Sequence, residues 1–340
     1  MAHRFPIKEI ARQAGLSTAT VDRVLNERPN VSPATRLRVR AAMDELRRQE
    51  RQLAARGRRL FVDFVVDAPD RFAREVRGAA EAVLPELGMG VFRPRFTMHA
   101  TMPVADTVAA LNRIARRGSQ GVCLKAQDVP EIRAAVNRLA ARGIPVVTLV
   151  TDIADTDRAA YAGLDNASAS RAAAYLLMAM RPAQDGAILV TRSQETFVGE
   201  AERLRHFRHA LQTGRPDLRV FDLSGTGGLA RPLTDQLAAA LPKLGALAGI
   251  YSIGGGNAAM IAFLCARGVG RVPFIAHDLD RENAALLREG ALDFVLHHDL
   301  QTDARNVYRA IAAHHGLAPA LPDRLISDVQ VMTPFNLPAR

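Results

Sequence analysis

From Phe61 to Asp299 the chain keeps returning to one pattern. Short β-rich apolar runs (FVDFVV, GVCLKA, PVVTLV, GAILVT, AGIYSIG, VPFIAHD and FVLHHD) alternate with stretches of helical periodicity. That rhythm requires parallel strands, each followed by a helix that crosses back over the sheet. Roughly 280 residues of it are too many for a single sheet. The expected fold class is therefore α/β, with two doubly wound parallel-sheet lobes and a cleft between them. Ligands of such sheets bind beyond the carboxyl ends of the strands. Polar residues stand at those ends: Asp67, Asp152, Asp278 and His298 each follow an apolar strand.

The first sixth of the chain is built differently. The whole sequence carries a net charge of +10, but residues 1–60 alone hold 14 Lys and Arg against 6 Asp and Glu, while the remaining 280 residues hold 31 against 29. A basic excess confined to one segment marks a module that meets a polyanion. A solvated tail would carry the same charge, and periodicity separates the two readings. Ile7, Ile10, Ala11 and Ala14 share one face of a helix. Gly15 tolerates the positive φ that ends it in a tight turn. Ser17 is placed as N-cap of a second helix with Val21, Val24 and Leu25 inward. Ser32 and Pro33 open a third, carrying Val39, Ala42, Met43 and Leu46 on one face. Three helices sharing a small core form an N-terminal three-helix helix-turn-helix domain. In such a domain the second helix enters the major groove by its N-terminal end. The small side chains of Thr18, Ala19 and Thr20 allow close approach there. Arg23, one turn on, can reach a guanine with both arms of its guanidinium. Ser17 and the helix N-terminus can hold phosphate.

The segment Ile7 to Leu46, IKEIARQAGLSTATVDRVLNERPNVSPATRLRVRAAMDEL, resembles the headpiece of the LacI/GalR family of bacterial transcription regulators, including its S-x-x-T-V-x-R-V-L-N and V-S-x-x-T-R patterns. The resemblance implies base reading by Thr18, Ala19 and Arg23, with Ser17, Thr20 and Asn26 among the backbone contacts. Asp22 stands where Ser is commoner. Family members follow the third helix with a tyrosine-proline linker and a hinge helix that pushes a leucine into the minor groove. Here LRRQERQLAARGRR lacks proline and is shorter, and Leu53 is either that wedge or part of an extended third helix.

The remainder resembles the type I periplasmic sugar-binding fold that forms the effector domain of the same family. YAGLDNASASRAAAYLL looks like the crossing from first lobe to second. The implied domains are a headpiece with hinge over 1–59, a first lobe from 60–163 plus 293–325, and a second from 164–292 plus 326–340. By the resemblance Arg203, in GEAERLRHF, grips the ligand. Asp278, in IAHDL, supplies a ligand carboxylate, with Asp152 from VTD, Asp70 from APDRF, and Phe72 as a ring that stacks on a sugar or belongs to the core. His298 replaces a usual glutamine, with His297 as the register alternative. Asn257 follows a glycine run where an Asn-Asp pair is usual. Such residues suit a polyol: Arg donates a fork, Asp accepts from vicinal hydroxyls, and an aromatic face covers the C–H side.

Other chemistries find no support. SIGGGNAAM and SGTGGLA lack the Walker lysine and the G-x-G-x-x-G spacing. His297-His298-Asp299 and His206-x-x-His209 do not offer three convergent metal ligands. No nucleophile elbow occurs, and Cys123 and Cys265 each lie inside an apolar run, which argues against a disulfide framework. No apolar run is long enough for a bilayer, and MAHRFPIKEIARQ lacks a secretory signal's apolar core. The expected protein is a cytoplasmic, non-enzymatic repressor with no cofactor or metal. Its expected partners are double-stranded operator DNA, a small polyhydroxylated effector and a second copy in a homodimer, without membrane. A transport-type sugar receptor would explain only the body, and an α/β enzyme only the glycine loops.

Overall fold

The protein is described from a computed structural model that covers residues 4–29, 31–55, 57–180 and 186–338, with the side chains of 51–55 outside the description. Helices α1 (Ile7–Ala14), α2 (Thr18–Leu25) and α3 (Pro33–Ala55) open the chain. They close on a core of Phe5, Ile10, Ala11, Val21, Val39 and Leu46. Gly15 has φ +61°, and the amide of Leu16 returns to the Ala11 carbonyl at 3.0 Å, so the turn between α1 and α2 uses the left-handed conformation only glycine adopts freely. Helix α3 runs unbroken for 23 residues, and no separate hinge helix occurs among the described residues. Leu53 lies on this extended helix, and its side chain falls outside the described residues. The reason is local: between Pro33 and Gly57 neither proline nor glycine interrupts a run of strong helix formers. Arg47–Asp44 and Arg48–Glu45 add one-turn ion pairs at 2.7 and 2.5 Å.

The body contains two six-stranded sheets. The first comprises β1 (Arg59–Asp67), β2 (Val91–His99), β3 (Gly121–Lys125), β4 (Val146–Leu149), β5 (Ala160–Leu164) and β11 (Arg324–Ser327), in the order β2-β1-β3-β4-β5-β11 and parallel throughout. The second comprises β6 (Ala187–Thr191), β7 (Arg219–Leu223), β8 (Leu247–Ser252), β9 (Phe274–His277), β10 (Phe294–His297) and β12 (Gln330–Met332), in the order β7-β6-β8-β9-β10-β12, with only β12 antiparallel. Every residue of β3, β4 and β5 is buried, as continuous apolar strands covered on both faces must be. Helices α4 (Asp70–Ala82) and α12 (Leu300–His314) cover one face of the first sheet, where Phe64, Phe92 and Tyr308 meet. Helices α5 (Val104–Arg117) and α6 (Pro130–Ala140) cover the other. In the second lobe α7 (Asn166–Ala179) and α8 (Val198–Gly214) lie on one face, and α9 (Ala230–Leu244), α10 (Asn257–Ala266) and α11 (Arg281–Arg288) on the opposite one.

The chain crosses between lobes three times: after β5, after β10 and after β11. The second crossing corrects the expected boundary at 293. Strand β10 pairs in parallel with β9 through Phe294–Ile275 and Leu296–His277, burying Val295 and Leu296 in the second lobe. The chain changes lobe where apolar residues give way to His298 and Asp299. The third crossing follows Ser327, because β11 belongs whole to the first sheet. Asp165 and Asp299 cap the helices entered at the first two crossings.

Candidate functional site

Two surfaces carry the residues singled out by sequence. On the headpiece, Ser17 accepts a hydrogen bond from the Thr20 amide at 3.1 Å and shares one with its hydroxyl at 2.8 Å. Ser17, Thr18, Ala19, Arg23 and Asn26 are exposed and Thr20 is half-buried. Asn26 donates to the Asp22 carboxylate at 2.8 Å, and Arg28 lies 3.4 Å from it, so this acid is partly neutralised within the module. Arg23 forms no ion pair among the described residues, which leaves its guanidinium available on the same edge as the α2 N-terminus.

The second surface is a narrow cleft at the carboxyl ends of the strands of both sheets. Arg203 lies in it, 2% exposed, its Nε bonded to the Asn166 side chain at 2.8 Å and its Nη2 without a partner among the described residues. Asp278 and Phe72 also line it. The other expected ligand residues fall elsewhere. Asp70 is exposed on the first turn of α4, and the neighbouring Arg71 enters the cleft instead. Asp152 is spent on Arg158 at 2.6 Å and on the Ile153 amide, leaving Thr151 as the lining residue. Asn257 is buried against Asn283 at 2.7 Å. His298 is fully buried and does not line the cleft. For Asp70 and Asp152 the adjoining residue, Arg71 or Thr151, faces the ligand space instead.

Sequence reasoning missed Lys125, Arg71, Phe197 and Glu200. Lys125 ends β3, donates to the Asp67 carbonyl at 2.8 Å, and sits 3.9 Å from the centre of the Phe197 ring. Its signal was present: a single cation in the apolar run GVCLKA. Burial lowers its pKa despite the opposing charges of Glu200, Asp67 and Asp278. Glu200 accepts from the Ser193 and Gln194 amides and from the Ser193 hydroxyl. The glycine run finds its reason here. At Gly255 (φ +86°) the backbone conformation favours glycine, and an added Cβ would lie 1.6 Å from Arg71 Nη2 and displace that arginine.

The lobes touch across this space. Arg71 bonds Asp280 at 2.7 Å, the Gly199 amide donates to Thr151 at 3.2 Å, and Thr196 bonds the Gln127 side chain at 2.9 Å. Two lining residues, Val150 and Asp278, both have φ +66°. For a β-branched residue and an aspartate this is sparsely populated backbone, of the kind concentrated at binding sites. Asn283 holds the Asp278 turn by donating to the carbonyls of His277 and Asp278 at 3.0 and 2.7 Å. Burial opposes the Asp278 charge, but His298 and Arg203 outweigh it and hold the carboxyl below its ordinary range. Three cations (Arg71, Lys125, Arg203) and two carboxylates (Glu200, Asp278) thus converge on one small volume. They offer donors and acceptors in fixed directions, which suits a ligand with many hydroxyls. Among the described residues no group of three metal-ligating side chains occurs.

Comparison with known proteins gives both surfaces a context. Residues 6–47 match the family of bacterial regulatory proteins of the lacI type, and residues 63–316 match the periplasmic binding protein domain. The HTH-type transcriptional regulator GalR of Salmonella typhimurium is 55% identical over 40 residues, a match covering 12% of this chain and 12% of that protein. The body resembles the glucose-galactose binding protein GanP of Geobacillus stearothermophilus (TM-score 0.73, 18% identity, 83% of this chain and 100% of that one). It also resembles a solute-binding protein of an ABC transporter from Agrobacterium vitis with bound D-fucose (TM-score 0.72, 18% identity, 81% and 96%). The matched families are those of regulators and binding proteins. With more than half of its length matching it, the chain belongs to the periplasmic binding protein domain family, and its front helices, residues 6–47, form a domain of the lacI family of bacterial regulatory proteins.

Proposed function

We propose that this protein is a sequence-specific repressor of transcription, acting in the cytoplasm as a homodimer, whose hold on operator DNA is controlled by a sugar or sugar derivative bound between its lobes. Ser17, Thr18, Ala19, Thr20, Arg23 and Asn26 meet the duplex. Arg203, Asp278, Lys125 and Phe72 meet the effector. The observation that carries this reading is the union, in one chain, of an exposed helix edge whose Arg23 has no ion pair among the described residues and a cleft in which buried Arg203, beside Asp278, has its Nη2 without a partner among the described residues. The effector must favour one arrangement of the lobes, because equal affinity for both would shift nothing. Two headpieces then engage half-sites about one helical turn apart.

Selection of bound duplexes from a random DNA pool by the full chain tests the DNA half. A palindromic motif and an affinity falling steeply between low and moderate salt are expected; no motif, or salt-independent binding, would refute it. A thermal-shift screen of pentoses, hexoses, polyols and sugar acids tests the other half. The sugar that stabilises the protein should also change operator affinity, and a stabilising sugar without that effect would assign the body to simple sugar binding.

A further inference from the structure

His298 sits where the chain leaves β10 of the second lobe for α12, which packs on the first. It is fully buried. Its Nδ1 lies 2.5 Å from Asp303 of α12, and its Nε2 lies 3.6 Å from Oδ1 of Asp278 in the cleft. That second distance is an ion pair's, not a hydrogen bond's, and neither atom has another hydrogen-bond partner among the described residues. A neutral imidazole donates from one nitrogen only, whereas the imidazolium serves two carboxylates at once.

We propose that His298 is a positioning residue: its imidazolium, anchored by Asp303, aims the Asp278 carboxylate at the cleft and ties it to the rotation of one lobe against the other. The proposal deepens the reading of the cleft as an effector site and rests on it. Lobe rotation turns α12 against the strand end carrying Asp278, with His298 between them. A ligand that bonds Asp278 therefore acts on the hinge directly.

The surroundings agree with a charged ring. Burial works against the charge, but Asp303 and Asp278 outweigh it and raise the His298 pKa to about 9. His277 on β9 is pushed well below its ordinary value by burial and by Arg203, and His297 on β10 falls to about 4 through burial and the His298 charge. Neither competes as a second cation. Arg203 of α8 acts on Asp278 in the same direction as His298. On the Asp303 side, Cys123 of β3 and Tyr161 of β5 have pKa values raised by burial and stay neutral.

Histidine-labelled full chain, followed by NMR from pH 5 to 10, tests this without any effector. The His298 signal is identified by its loss in His298→Gln. It should remain cationic through pH 8. Its titration should fall by about one unit, a tenfold change in the protonation equilibrium, in Asp278→Asn, and further in Asp303→Asn. A histidine with a purely structural bond to Asp303 would ignore Asp278→Asn, and that result overturns the proposal. So does a signal that is neutral throughout. If Asp303→Asn fails to fold, the cleft variant Asp278→Asn decides alone. Arg71→Ala, which removes a cross-lobe ion pair, should also move the titration; no movement would sever the link to rotation. A sugar screen without hits would count against the effector reading while this titration still returns its own answer.

Discussion

Asp278 owes its place to a strand end and Arg203 to one face of α8; the first follows the apolar strand of IAHDL, whereas the second was singled out only through the family resemblance of GEAERLRHF. The double variant Arg203→Ala with Asp278→Asn should keep operator affinity and lose the response to the effector in a DNA-binding titration; retained response would move the site elsewhere. Arg23→Ala should cost about 1–3 kcal/mol on the operator and relax preference at one base pair, read from a selected-site profile. What the sequence left illegible was direction. Asp70 against Arg71, or Asp152 against Thr151, differ by one residue, and a step of one turns a side chain from ligand space to solvent in the first case and to an internal ion pair in the second. The buried histidine adds a pH dependence. A group held more strongly protonated in the folded chain stabilises it below the ordinary value near 6.5, and that contribution is lost as pH rises through about 9. Urea midpoints should therefore fall across that window in the wild type and fall less in His298→Gln.

Helix and strand identities were the most legible level. The predicted faces of α1, α2 and α3 supply the headpiece core, because a short helix can bury only one stripe. The capping at Ser17 and the turn at Gly15 also read directly from local chemistry. Ser17→Ala should destabilise the headpiece by about 1 kcal/mol, measurable by hydrogen exchange of α2 amides, with a parallel loss of DNA affinity. The end of α3 was less legible, since the alternatives for LRRQERQLAARGRR differed only in whether helix propagation or a chain break prevails. Propagation prevails through Ala55. The crossing after β10 was misjudged for a related reason: FVLHHD is a strand whichever sheet receives it, and only pairing with β9 decides.

At the scale of the molecule, two sheets and a cleft followed from the count of βα units, but the closeness of the lobes did not. The contacts of Arg71 with Asp280 and of Gly199 with Thr151 join residues from distant parts of the chain. Arg71→Ala should favour a more open average shape, seen as a larger radius of gyration in solution scattering, with an unchanged value indicating that the ion pair does not hold the lobes. The third crossing limits such opening. Ser327 ends a strand of the first sheet and Gln330 begins one of the second, so only two residues lie between them and the three steps from one strand to the other reach at most about 11 Å when extended. The jaws cannot slide apart; they can only pivot. By the proposed reading, lobes tied in this way turn the bulk of an enclosed effector into an angle.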